Sequence, residues 1–142
     1  MTVPIEYRRA SELFEAFLKE AAEEAGLETR NQAFTMVDGV FRAFRRRLAP
    51  ADAIAFARLL PPLLCALLVA DWDPTEPLAT DWERGTLTRE VQALRRHHNF
   101  SPPTAIAATA AVLRRHIDPD ALDALLARLP EGARAFWGGS GA

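Results

Sequence analysis

Two stretches of the chain decide its fold. Val37–Leu68 reads VDGVFRAFRRRLAPADAIAFARLLPPLLCALL, and Ile106–Trp137 reads IAATAAVLRRHIDPDALDALLARLPEGARAFW. Superimposed without a gap, they bring Arg45 onto Arg114, Arg46 onto Arg115 and Pro50 onto Pro119. Ala55 then meets Ala124, Leu60 meets Leu129 and Pro61 meets Pro130. Apolar positions match more widely, as in Val37 with Ile106, Phe44 with Leu113, Leu48 with Ile117 and Phe56 with Leu125. Alanine-rich helices produce some such matches by chance, but two prolines at equivalent places with equal spacing are the harder coincidence. Self-similarity at a fixed offset is the signature of a repeated structural unit. Upstream, at a slightly larger offset, Phe14, Leu18 and Ala21 align with Leu87, Val91 and Leu94.

Working outward, the units read as helices. Leu13, Phe14, Phe17, Leu18 and Ala21 share one face of a helix over about 10–25, stopped by Gly26. A second helix is expected over about 30–48, opened by a capping box from Thr29 to Gln32 and striped by Phe34, Val37, Phe41, Phe44 and Leu48. Pro50 and Pro61 suit the first turns of two short helices, where a missing N–H costs nothing. In the second copy, Ser101 before Pro102 and Asp118 before Pro119 give the same start signal. No alternation of period two argues for a strand. The expectation is an all-α bundle of about eight helices, built from two similar tandem halves around a pseudo-two-fold axis. One domain spans 1–142, with the repeats at about 10–70 and 84–138 and an acidic, Trp-containing connection at 71–85.

Composition agrees. Of 142 residues, 27 are Ala, 18 are Leu and 16 are Arg against the single Lys19. Ala and Leu lead the helix-propensity order. With 49% hydrophobic and 25% charged residues, the chain has the balance of a globular protein. A formal net charge of −2 removes the long-range steering of a dedicated polyanion binder, so nucleic acid is not the expected partner. Cys65 is the only cysteine, which excludes an intrachain disulfide; among Leu63, Leu64, Leu67 and Leu68 it reads as a small buried hydrophobe. The twelve-residue apolar run Leu59–Ala70 is shorter than the roughly 20 residues a membrane span needs, and Met1–Leu18 lacks a signal-peptide core. A cytoplasmic location is expected.

The repeat, the Ala-Pro or Asp-Pro start of a short helix, the LLPP and RLPEGARAFW segments, the connection's tryptophan and REVQALRRHHNF at Arg89–Phe100 resemble one bacterial family. It is the domain of unknown function numbered twenty-two sixty-seven. The resemblance covers roughly residues 10–138. It implies an all-helical duplicated fold and brings no established activity and no catalytic residues.

Chemistry-bearing constellations are few. His97 and His98 are adjacent, so on a helix they diverge by about 100° and cannot easily share one ion. His116 occupies the repeat position of Arg47, where a cation complements a helix C-terminus. Neither metal nor another cofactor is therefore expected. The arginine runs Arg45–Arg47, Arg95–Arg96 and Arg114–Arg115 match phosphate chemistry, yet each is expected in the last turn of a helix, with no interleaved aromatics for stacking. Asp71, Asp73, Glu76, Asp81 and Glu83 crowd the connection beside Trp72 and Trp82; the tryptophans are expected to pack and the acids to stay solvated. No Gly-rich phosphate loop or nucleophile elbow occurs: Ser11, Ser101 and Ser140 lack that context, and Gly138–Gly139–Ser140–Gly141 reads as a flexible tail. The expected function is a non-enzymatic module acting through a protein partner or self-association. The alternatives are a small-ligand or metal-binding helical protein and a weak nucleic-acid or phosphate binder using the arginine clusters. The candidate partner or ligand patch comprises Trp72, Trp82, Arg95, Arg96, His97, His98 and His116.

Overall fold

Helix ends follow the local chemistry closely. In the computed structural model, which describes residues 1–138, a four-residue helix α1 (Ile5–Arg8) precedes α2 (Ala10–Ala25), closed by Gly26 at φ 70°. The remainder of the Gly-Gly-Ser-Gly tail lies outside the described residues. Helix α3 (Arg30–Arg45) opens on the expected capping box: Gln32 N–H donates to Thr29 Oγ1, and the Gln32 side chain accepts from the Thr29 backbone. Helices α4 (Pro50–Ala57) and α5 (Pro62–Val69) carry proline in their first turns. Helix α6 (Arg84–Ala93) leads through a 3-10 turn (Arg96–His98) into α7 (Ala105–His116), α8 (Pro119–Leu126) and α9 (Glu131–Phe136). The chain is all-helical, and no helix among the described residues is long and apolar enough to cross a membrane.

Two boundaries differ from expectation. Ser101 does not start a helix, because Pro102 itself precedes Pro103 and a residue before proline is pushed out of the α region. The helix begins only at Ala105; Ser101 is buried, its N–H donating to Asn99 Oδ1 and its hydroxyl without a partner among the described residues. Nor do Arg95 and Arg96 end a helix. The chain leaves α6 at Ala93, and Arg95 takes a left-handed backbone at φ 50°.

Helix α3 runs through the middle, packed on α2, α5, α6 and α7. Its Phe41 and Phe44 are fully buried, and α7 sets the small side chains Ala105, Ala108 and Ala110 into the interior. One aromatic cluster gathers residues far apart in sequence. Phe44 lies 4.9 Å from Phe56, 5.1 Å from Phe136 and 5.2 Å from Trp137 between ring centroids. Arg45 donates to Leu68 O, and Arg114 donates to Trp137 O, the pairs being related by the same 69-residue offset.

The connection at 71–83 is anchored through Trp82, whose ring meets Phe44 and Phe136 edge-on. Its indole occupies the space where a Cβ on Gly132 would stand. Gly132→Ala is therefore expected to cost about 1–3 kcal/mol, as overpacking does. A urea titration checks this, and an unchanged midpoint would show that Trp82 yields freely. Glu83 caps α6, accepting from the N–H groups of Gly85 and Thr86 and from the Thr86 hydroxyl.

Candidate functional site

An apolar groove of about 1090 Å³ lies between the start of the chain and the α4–α5 pair. Its origin lies in α5, PLLCALLV, which is apolar on every side. Leu64, Leu67 and Leu68 are buried in the core, while Cys65, Ala66 and Val69 face the groove. A helix apolar all round ordinarily sits wholly inside a protein, so this face lacks a cover. Tyr7, Ile54 and Val69 line the groove and are among the most exposed large hydrophobic residues of the chain, at 65%, 50% and 44%. Cys65 is half-buried on the groove wall rather than enclosed as expected, because among the described residues no helix closes over it.

His116 stands at one end of the groove, where α7 meets α2. Its Nε2 lies 2.7 Å from Glu20 Oε2, and its ring meets Phe17 edge-on at 5.3 Å. Arg115 reaches Glu20 and Glu24 beside it. Burial of Glu20 favours its neutral form, but His116 and Arg115 outweigh this and hold the carboxyl below the usual range. Hydrogen bonds do the same for two exposed acids: the Thr75 hydroxyl and N–H for Asp73, and the Gly85 and Thr86 N–H groups for Glu83. A carboxyl lowered by folding contributes stability above its ordinary range and loses it as pH falls through the folded value. Urea midpoints are therefore expected to be level near neutrality and to fall below about pH 4.5. Glu83→Gln should flatten part of that acid limb, and an unaltered limb would count against the assignment.

A second, polar recess of about 190 Å³ is walled by Arg42, Arg45, Arg46, Asp71 and Trp72. Arg42 is paired with Asp38 at 2.8 Å and Asp71 at 3.3 Å, and Arg46 with Glu90 at 2.7 Å. Arg45 is buried and donates to Leu68 O and Ala70 O, both at 2.7 Å; burial, then the charge of Arg42, pulls its guanidinium below its ordinary value. Arg47 is buried too, pairing with Glu90 and donating to Ala43 O and Asp81 O. This run is thus no solvated helix end: Arg45 and Arg47 tie α3 to α5, to the connection and to α6.

The residues singled out by sequence do not converge. Trp72 walls the polar recess, and Trp82 is wedged against Gly132. His116 lines the apolar groove. Arg95, Arg96, His97 and His98 are exposed on the turn after α6. Among the described residues no three of His, Cys, Asp or Glu stand together so as to hold a metal ion. Tyr7, Ile54, Cys65 and Val69 were not anticipated as a surface. The readable signal was the all-round apolarity of α5, which predicts burial but not what provides it. Over residues 14–136 the chain matches the model of a family described as an uncharacterized conserved protein, DUF2267. No curated protein matches it.

Proposed function

This chain belongs to the DUF2267 family of uncharacterized conserved proteins, and from that premise we propose that it is a binding module rather than an enzyme. It receives the apolar face of a protein partner in the groove between the chain start and the α4–α5 pair. The observation that carries this reading is the uncovered face of α5, continuous with exposed Tyr7 and Ile54. Exposed apolar patches of this kind mark interaction sites, and an amphipathic helix laid in a groove is a recurrent solution. We also read the two halves as copies of one unit, supported by the matched spans of α4 and α8 and the matched bonds of Arg45 and Arg114.

Ile54→Glu tests the proposal without disturbing the core, since that side chain is half in solvent. Affinity capture from the source lysate with wild type and variant, beside sedimentation of each alone, separates the outcomes. A protein retained by wild type and lost by Ile54→Glu supports the reading, as does an oligomer that dissociates in the variant. Identical capture and identical sedimentation overturn it.

A further inference from the structure

The structure divides the three arginine runs into two kinds. Arg46 and Arg47 pair with Glu90, and Arg45 is spent on backbone carbonyls. Arg114 pairs with Asp123, and Arg115 with Glu20 and Glu24. Arg95 and Arg96 make no side-chain hydrogen bond or ion pair with any described residue, and neither do His97 and His98. All four are exposed, and beside them Phe100 is 63% exposed, among the largest uncovered apolar side chains of the chain.

This turn is held in shape by its own bonds. The Asn99 side-chain amide donates to Val91 O at 2.8 Å and Leu94 O at 2.7 Å, and its Oδ1 accepts from Ser101 N–H at 2.9 Å. His98 N–H donates to Arg95 O at 2.7 Å. A left-handed backbone at Arg95, uncommon for a residue with a side chain, is fixed by this frame. The cations and the ring are therefore presented from a set backbone rather than from a loose loop.

We propose that the Arg95–Phe100 turn is a contact site for single-stranded nucleic acid. The guanidinium groups of Arg95 and Arg96 take two backbone phosphates, for which their planar forks are suited. Phe100 stacks on a base, with the imidazoles of His97 and His98 as further planes and donors. An acidic protein segment would satisfy the cations and leave the ring idle. A bilayer surface asks for about 4–8 basic residues, more than the two arginines provided here. An overall charge of −2 supplies no long-range steering, and physiological salt screens the local cations beyond roughly 8–10 Å, so the site works at contact range.

Fluorescence anisotropy of the full chain with labelled twelve-nucleotide oligothymidylate and oligouridylate tests this. Binding is expected at low salt, with a log–log salt slope near −1.4 for two phosphates. Preference between the two oligomers then tells DNA from RNA. Phe100→Leu, which keeps apolar bulk but not the aromatic face, should weaken binding about fivefold or more. Arg95→Gln with Arg96→Gln should abolish it. All three positions are exposed, and unchanged thermal melting of each variant verifies its fold. Absence of oligonucleotide binding overturns the proposal. So does equal affinity for polyglutamate or for anionic lipid vesicles, or a Phe100→Leu variant that binds like wild type.

Discussion

Phe44→Ala is expected to lower the unfolding free energy by about 4 kcal/mol, the middle of the range for deleting a buried ring. Phe44 is fully buried and stands within 5.2 Å, centroid to centroid, of Phe56, Phe136 and Trp137. Those rings come from α4 and the end of α9, so a void left on α3 at Phe44 is lined by separate elements that cannot collapse together. Edge-to-face pairs add roughly 0.5–1.5 kcal/mol each beyond their burial, and truncation removes several at once. Phe44→Leu keeps most of the volume and should cost only about 1–1.5 kcal/mol. Urea unfolding of both variants checks the pair. An alanine variant within about 1 kcal/mol of wild type would mean that the cluster refills and does not organise the core.

Glu90→Ala should cost about 3 kcal/mol, although it removes an acid and no core packing. Its partner Arg47 has a side chain only 2% exposed, and Glu90 is its carboxylate partner. Removing one member of a buried pair leaves an uncompensated charge, typically about 3–5 kcal/mol. The carbonyls of Ala43 and Asp81 still accept from Arg47, which sets the expectation at the low end. For a chain of this length that corresponds to a fall in Tm of roughly 6–12 °C. The double replacement Arg47→Met with Glu90→Leu should recover most of the loss, because apolar residues of similar volume pack there without a desolvation penalty. Thermal melts of single and double variants decide it. A double variant as unstable as Glu90→Ala would show that Arg47 is needed for its carbonyl bonds, not for its charge partner.

Much of the helical layout was legible because it is local. The span 10–25 with its Gly26 stop, the Thr29–Gln32 box and the Asp118 cap are governed by backbone donors and side chains within four residues of each other. Legibility failed where two local signals collided. At Ser101-Pro102-Pro103 the second proline overrode the cap formed with the first. After α6, the Asn99 amide accepts the role of closing the helix, five and eight residues from the carbonyls it satisfies. Neither event shows in apolar periodicity.

The functional surfaces were less legible. Arg45, Arg95 and Arg114 look alike in sequence, each beside a second arginine. Their fates differ because Arg45 and Arg114 meet carbonyl and carboxylate groups from 9 to 25 residues away, whereas nothing described meets Arg95. The chain's own order of residues determined that it would be helical, where most helices begin, and which stripes turn inward. Those are short-range matters of capping, proline and period. Only the tertiary structure decided which arginines are neutralised, that α5 keeps one apolar face uncovered by the described residues, and that Phe100 stands in solvent beside four basic side chains that no described residue pairs. Burial and pairing are set by what a neighbouring element brings, and the neighbour is chosen by the fold.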